Sequence, residues 1–226
     1  MSLVWNWNLV EEFFEKVVPE PERDEVLIIM LAARKKYCSE ISRSEEVLDK
    51  LIIEDKEIGL RKLRKFLRIE EGDYFDFKTR KQIPLSATAV YIDLYPKSCL
   101  KAIVEWNKLT HQWMYQAIVD EKFDLKVFKK LDAKWFSSLA KSSSRKPVRI
   151  LDIDTKEVKV DIPRPDWITE TRGGYHYIYK EPSKETMKHL VTLAQKYNFI
   201  ETSWHQGLTV IPGTLQGGYK AKGFPL

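Results

Sequence analysis

The sequence predicts an α+β protein in which a helical module precedes a strand-rich domain, and two features carry that expectation. Over about the first 70 residues, apolar side chains recur at three- and four-residue spacings, the period of a helix with one buried face. From Thr88 onward, short runs rich in β-branched and aromatic residues alternate with glycine, proline and serine clusters, the signature of strands and turns.

The first helix is expected over Leu9 to Val18. A second is opened by Pro21, carries Glu22, Asp24 and Glu25 in its first turn, and runs through Leu27, Met30 and Leu31 to Tyr37. Ser42 or Ser44 caps a third, whose stripe is Val47, Leu48, Leu51 and Ile52. A fourth spans Ile58 to Ile69, with Leu60, Leu63, Phe66 and Leu67 inward. Arg61, Lys62, Arg64, Lys65 and Arg68 on that helix could track phosphates, although a run of this kind is more often a solvated face. A boundary falls between residues 72 and 84, giving a helical N-terminal module over 1–80 and a second domain over 81–226.

Thr88 to Leu94 reads as a strand ended by Tyr95-Pro96-Lys97-Ser98, and Leu100 to Asp120 as a helix. The loop from Ser142 to Pro147 leads into a strand over Val148 to Asp154, and Lys156 to Ile162 is expected to pair beside it. After Pro163 and Pro165, Thr171 to Tyr179 forms a glycine-led strand. Pro182-Ser183 opens a helix to Tyr197, Phe199 to Thr202 and Leu208 to Ile211 are short strands, and Gly213 to Gly218 is a glycine-rich loop.

With 43% hydrophobic and 31% charged residues, the 226-residue chain has a globular composition that excludes a disordered or collagen-like chain. The longest apolar run, Val26 to Ala33, falls far short of the roughly 18 residues of a membrane span, and the N-terminus lacks the layout of a secretory signal. A cytoplasmic protein with no membrane partner is expected. Cys38 and Cys99 are far apart, which supports neither a disulfide framework nor a cysteine zinc site. The net charge of +5 favours a polyanionic partner.

Asp152 and Asp154 stand two apart on a strand, so both carboxylates leave one face and can share a hard divalent ion, Mg²⁺ or Mn²⁺, with substrate phosphates. Alone, an Asp-x-Asp is more often a solvated strand face; the apolar Ile150, Leu151 and Ile153 around it argue for a carboxylate pair at the end of a buried strand. His176 follows Arg172-Gly173-Gly174-Tyr175. The glycines permit close approach of a phosphate to the backbone, and Arg172 and His176 can donate to its oxygens. Gly213 and Thr214, with Lys220 as a cation, can cradle a nucleotide through backbone amides or simply turn between strands.

Ile150-Leu-Asp-Ile-Asp154, then Gly174-Tyr-His176, then a short strand and the Ile211-Pro-Gly-Thr214 loop resemble, in order, the motifs of the archaeo-eukaryotic primase and primase-polymerase superfamily. The resemblance covers about residues 88 to 220, and Thr171-Arg-Gly-Gly-Tyr-His176 is its most specific piece. It implies a catalytic core with an RNA-recognition-motif-like (RRM-like) antiparallel sheet. It also implies a nucleotidyltransferase, a DNA primase and/or a template-directed polymerase, acting on nucleoside triphosphates with a DNA and/or RNA template-primer. Asp152 and Asp154 would hold the metals and His176 would contact the triphosphate. No aspartate follows Asp166, so the family's third acid is either missing or supplied by Glu201, which keeps the charge and lengthens the reach. Tyr91 to Lys97 resembles a strand and loop found upstream of the catalytic motif, where Lys97 would contact phosphate; Asp93 there is either a supplementary acid or a strand residue satisfied by its neighbours. The N-terminal helices would grip the primer, dock a helicase or other replication partner, or support the core. Two other readings stand beside the transferase: a nucleic-acid-binding protein that kept the fold without catalysis, and a metal-dependent nuclease or phosphodiesterase.

Overall fold

The computed structural model describes residues 2–203 and 207–226, and among them the chain is a mixed α+β structure with five α-helices and two antiparallel sheets. It begins with helix α1 (Trp7–Lys16), capped by the Asn6 side chain, which accepts from the Leu9 amide at 3.2 Å. Strands β1 (Glu25–Arg34) and β2 (Glu45–Ile53) follow, then helix α2 (Lys56–Phe66).

The two strands correct the expectation of an all-helical N-terminus. Residues 26–33 are apolar at every position, and such a run serves a strand covered on both faces as well as a helix; β1 is buried along almost its whole length. Across β1/β2 the register jumps, Leu31 facing Asp49 and Ala32 facing Val47, so Leu48 is an extra residue in a bulge. That bulge shifts the phase of an alternating edge strand, and the shifted alternation reads as a three-four spacing. β1 also pairs with β3 (Thr88–Ser98) from Glu25↔Ser98 to Ala33↔Thr88, so one sheet runs across the boundary expected near residue 80.

After β3 come α3 (Cys99–Val119), α4 (Leu131–Lys141) and β4 (Val148–Ile153), then β5 (Trp167–Glu170), β6 (Tyr175–Lys180), α5 (Lys184–Lys196) and β7 (Ile200–Thr202). The chain ends with β8 (Leu208–Val210), β9 (Leu215–Gln216), β10 (Tyr219–Lys220) and β11 (Lys222–Pro225). Residues 156–162 form no strand, and β5 lies instead between Pro165 and Thr171, where no element was expected. The first sheet has the order β10-β9-β3-β1-β2 with β8 also on β3; the second has the order β11-β5-β6-β4-β7.

The two sheets share a core. Leu27, Ile29 and Leu31 of β1 and Val90, Ile92 and Leu94 of β3 pack with Ile150, Trp167 and Ile178 of the second sheet and with Val10, Phe13 and Phe14 of α1. Trp167 is fully buried, its ring centroid 5.6 Å from that of Phe13. The outer face of the second sheet is covered by Leu190 and Leu193 of α5, and the outer face of β1 by Ala102 of α3 and Leu139 of α4. No helix among the described residues is long and apolar enough to cross a membrane.

Candidate active site

Sheet register assembles the site. Asp152 on β4 lies directly opposite His176 on β6 and, on its other side, opposite Glu201 on β7; Thr169 on β5 faces His176. Directly paired residues share a face with Cβ atoms roughly 5 Å apart, so Thr169, His176, Asp152 and Glu201 form one row across four strands. Asp154 follows the end of β4, on the same face as Asp152, its amide donating to the Phe199 carbonyl at 2.8 Å.

His176 Nε2 stands 3.4 Å from Asp152 Oδ1, and its Nδ1 stands 2.8 Å from the hydroxyl of Thr209, a buried residue of β8 in the other sheet. The imidazole therefore bridges the two sheets, held in plane from both sides. Its side chain is 12% exposed against 42% for Asp152, so the histidine is the wall and the carboxylate the rim. Burial pulls the His176 pKa down to about 4, with the Asp154 charge opposing, and the ring is neutral at neutral pH. Burial, and then the neighbouring Asp154 charge, push Asp152 up to about 6, against the pull of Lys36 and Arg34.

Those two cations are site residues that sequence reasoning assigned to the tail of a helix. Arg34 ends β1, donates to the Tyr91 hydroxyl at 3.2 Å and pairs with Glu45 at 3.3 Å. Lys36 lies in the following turn, where the charges of Asp154, Asp152 and Arg172 all act on it; its pKa is lowered by burial and by Arg34. Arg172 stacks over the Tyr37 ring at 5.1 Å and donates to the Gly217 carbonyl at 2.8 Å, while its amide donates to the Gln216 side chain at 2.6 Å. Three cations thus gather beside two crowded carboxylates. Only the strand identity of residues 25–34 would have revealed this, because it carries Arg34 to the same end of the molecule as Asp152.

Other expected residues lie elsewhere. Gly173 is at an open, exposed hairpin tip, but Gly174 is buried, and a Cβ there would sit 1.7 Å from the Ile153 carbonyl oxygen. The close approach it permits is to the backbone of β4, which sets the height of β6 beside Asp152 and Asp154. Thr171 closes the turn with two hydrogen bonds to Gly174. Lys97 is fully buried, 2.8 Å from Asp93 Oδ2, and donates to the Ser143 hydroxyl at 2.8 Å, so it is an internal ion-pair residue and not a phosphate ligand. Asp93 also accepts from the amides of Tyr95 and Gly207, each at 3.0 Å, and is satisfied by its neighbours.

Gly213 and Thr214 lie beneath the N-terminal segment. The Gly213 carbonyl accepts from the Trp5 and Asn6 amides, its φ is +88°, and a Cβ would meet the Asn6 carbonyl at 2.4 Å. Thr214 is fully buried and donates to the Ile211 carbonyl at 2.6 Å. The loop they were expected to form around a nucleotide is instead a seat for α1, and only its Gln216-Gly217 end reaches the site. Lys220 is exposed, 5.6 Å from the Trp5 ring. Two members of the basic run are engaged locally: Arg64 pairs with Glu11 and lies over Trp7, and Arg61 pairs with Glu57 at 3.3 Å.

The donor set suits a hard divalent ion. The Asp154 charge helps to raise the pKa of Asp152, a cost that a cation would relieve, and register puts Glu201 on the same row as a further carboxylate. Among the described residues no group of three His, Cys, Asp or Glu side chains is placed to hold a metal ion. No family model, no curated protein and no solved structure matches this chain.

Proposed function

We propose that the protein is a metal-dependent nucleotidyltransferase of the primase-polymerase type, extending a nucleic-acid primer on a DNA or RNA template from nucleoside triphosphates. The observation that carries the reading is the row Asp152–His176–Glu201, with Asp154 beside it, facing Lys36, Arg34 and Arg172. An acidic edge for metal stands against a basic wall for phosphate, as phosphoryl transfer needs. The strand order adds support: β5-β6-β4-β7 places the first strand of the four-strand βββαβ segment between its third and fourth, as in an RNA-recognition sheet, although residues 154–166 supply no helix between β4 and β5.

Asp152, Asp154 and Glu201 would hold Mg²⁺ or Mn²⁺, which when bound supplies Lewis-acid polarisation at the reacting phosphate and lowers the pKa of an attacking hydroxyl. Lys36, Arg34 and Arg172 bind and orient the triphosphate. His176, neutral and fixed by Thr209, presents one ring nitrogen to a phosphate oxygen without adding a charge.

The test is extension of a labelled primer on a DNA template with Mg²⁺ or Mn²⁺ and each nucleotide pool, wild type against Asp152→Ala/Asp154→Ala, with folding checked by circular dichroism. Growth lost in the double variant establishes the transfer. Retardation of DNA without growth identifies a binding protein, and shortening of the strand a nuclease.

A further inference from the structure

One side of α3 is used by the core, and the other carries exposed apolar residues toward both ends. Leu100, Ile103, Val104, Met114, Tyr115 and Ile118 are exposed, from 43% for Ile103 to 82% for Ile118. Their spacing puts them on one side of a helix about 30 Å long, in a stripe that Asn107 and His111 interrupt. A solvated helix carries polar side chains there, and exposed apolar patches of this kind mark an interaction surface.

Beside Leu100 and Val104 the stripe opens into a groove of about 790 Å³ between α3 and α4, sharing no lining residue with the carboxylate row. Leu100, Val104 and Leu109 line it with Lys101, Lys134 and Lys141. The single acid among its lining residues, Glu105, is already paired with Lys108 at 2.8 Å. Lys101 donates to the Ser143 carbonyl at 3.3 Å and Lys134 lies 5.9 Å from the Trp113 ring; among the described residues none of the three lysines is in an ion pair. The groove therefore presents aliphatic side chains and uncompensated positive charge. No aromatic ring lines it, whereas single-stranded nucleic acid is held on stacking platforms. An aliphatic groove with a basic rim has the complementary form of an amphipathic helix that carries acidic residues beside its apolar face.

We propose that the α3–α4 groove docks an acidic amphipathic helix of a partner protein, its apolar side against Leu100, Val104 and the α3 stripe, its carboxylates against Lys101, Lys134 and Lys141. This goes beyond the nucleotidyl-transfer reading and does not rest on it.

The test is fluorescence anisotropy of the full chain with a labelled peptide of Leu and Glu at helical spacing, about 20 residues long to match α3. A Leu/Lys peptide and an oligothymidine serve as competing probes. The Leu/Glu peptide is expected to bind in the micromolar range, at least about tenfold more weakly to Lys101→Glu/Lys134→Glu/Lys141→Glu and to Val104→Asp. All four positions are exposed, so both variants should melt like wild type and keep wild-type primer extension. The proposal is overturned if wild type does not bind the Leu/Glu peptide, if neither variant weakens it, or if oligothymidine occupies the groove in its place. Dimerisation in sedimentation velocity that Val104→Asp abolishes would overturn it in favour of a second copy of this chain.

Discussion

Two aspartates on neighbouring sheets each stand beside a basic side chain, and the two pairs behave differently. Asp93 and Lys97 are 2.8 Å apart, 8% and 0% exposed; both carboxylate oxygens have internal partners, and the ammonium is held by Asp93 and by the Ser143 hydroxyl. Asp152 and His176 are 3.4 Å apart, the carboxylate half-exposed and crowded by Asp154, and among the described residues it has no amide partner beyond its own strand. A charge pair that is closed on itself holds the fold together. A carboxylate left half-open beside a second one, its repulsion offset only in part by Lys36 and Arg34, keeps an uncompensated cost that a bound cation would relieve.

That contrast is open to attack at both ends. Lys97→Met leaves Asp93 buried without its cation and should cost about 3–5 kcal/mol in urea unfolding; a loss below about 1 kcal/mol would mean the pair is not closed. Asp152→Asn should do the reverse. Stability is expected to hold within about 0.5 kcal/mol or rise, because a repulsion is relieved, while primer extension falls by about three orders of magnitude, or about 4 kcal/mol. Gly174→Ala lies between the two behaviours. Its Cβ meets the Ile153 carbonyl, so β6 must shift, and about 1–3 kcal/mol of stability should go together with nucleotide affinity measured by calorimetry.

The pH dependence separates the two members of the open pair. His176, lowered to about 4, resists a proton that the unfolded chain takes up below about 6.5, so it removes stability as pH falls through that window. Asp152, raised to about 6 from 3.8, holds a proton that the unfolded chain has lost, so it adds stability at low pH that disappears as pH rises through about 6. The two oppose each other. Relative to wild type in metal-free buffer, Asp152→Asn should therefore lose stability between pH 6.5 and 4, and His176→Gln should gain it, as read from denaturation midpoints. The smallest effect belongs to Thr209→Val, which removes the hydroxyl from His176 Nδ1 and should cost about 0.5–1.5 kcal/mol.

Much of the second half was legible because its signals are local. The strands at 148–153 and 175–180 and the helix at 184–196 each carry their own period or cap within a few residues, although the glycine-led start expected at Thr171 is a turn and not strand. Asp152, Asp154 and His176 stood out for the same reason, and the structure pairs Asp152 with His176 and with Glu201. The N-terminal strands were not legible: an apolar run buried on both faces has no strand period to read, and a bulge in its partner imitates a helical one. Lys97, Gly213 and Thr214 were read as ligands because a lysine after a strand and a glycine-rich loop look alike whether they meet a phosphate or their own chain.

By itself the sequence determined which residues carry charge and where the chain turns, since residue type and near-neighbour spacing set both. Tertiary structure alone decided which charges are closed and which are open. Whether a lysine finds an aspartate, or Arg34 and Lys36 find a pair of repelling carboxylates more than a hundred residues away, depends on sheet register between distant segments, and no local pattern encodes that.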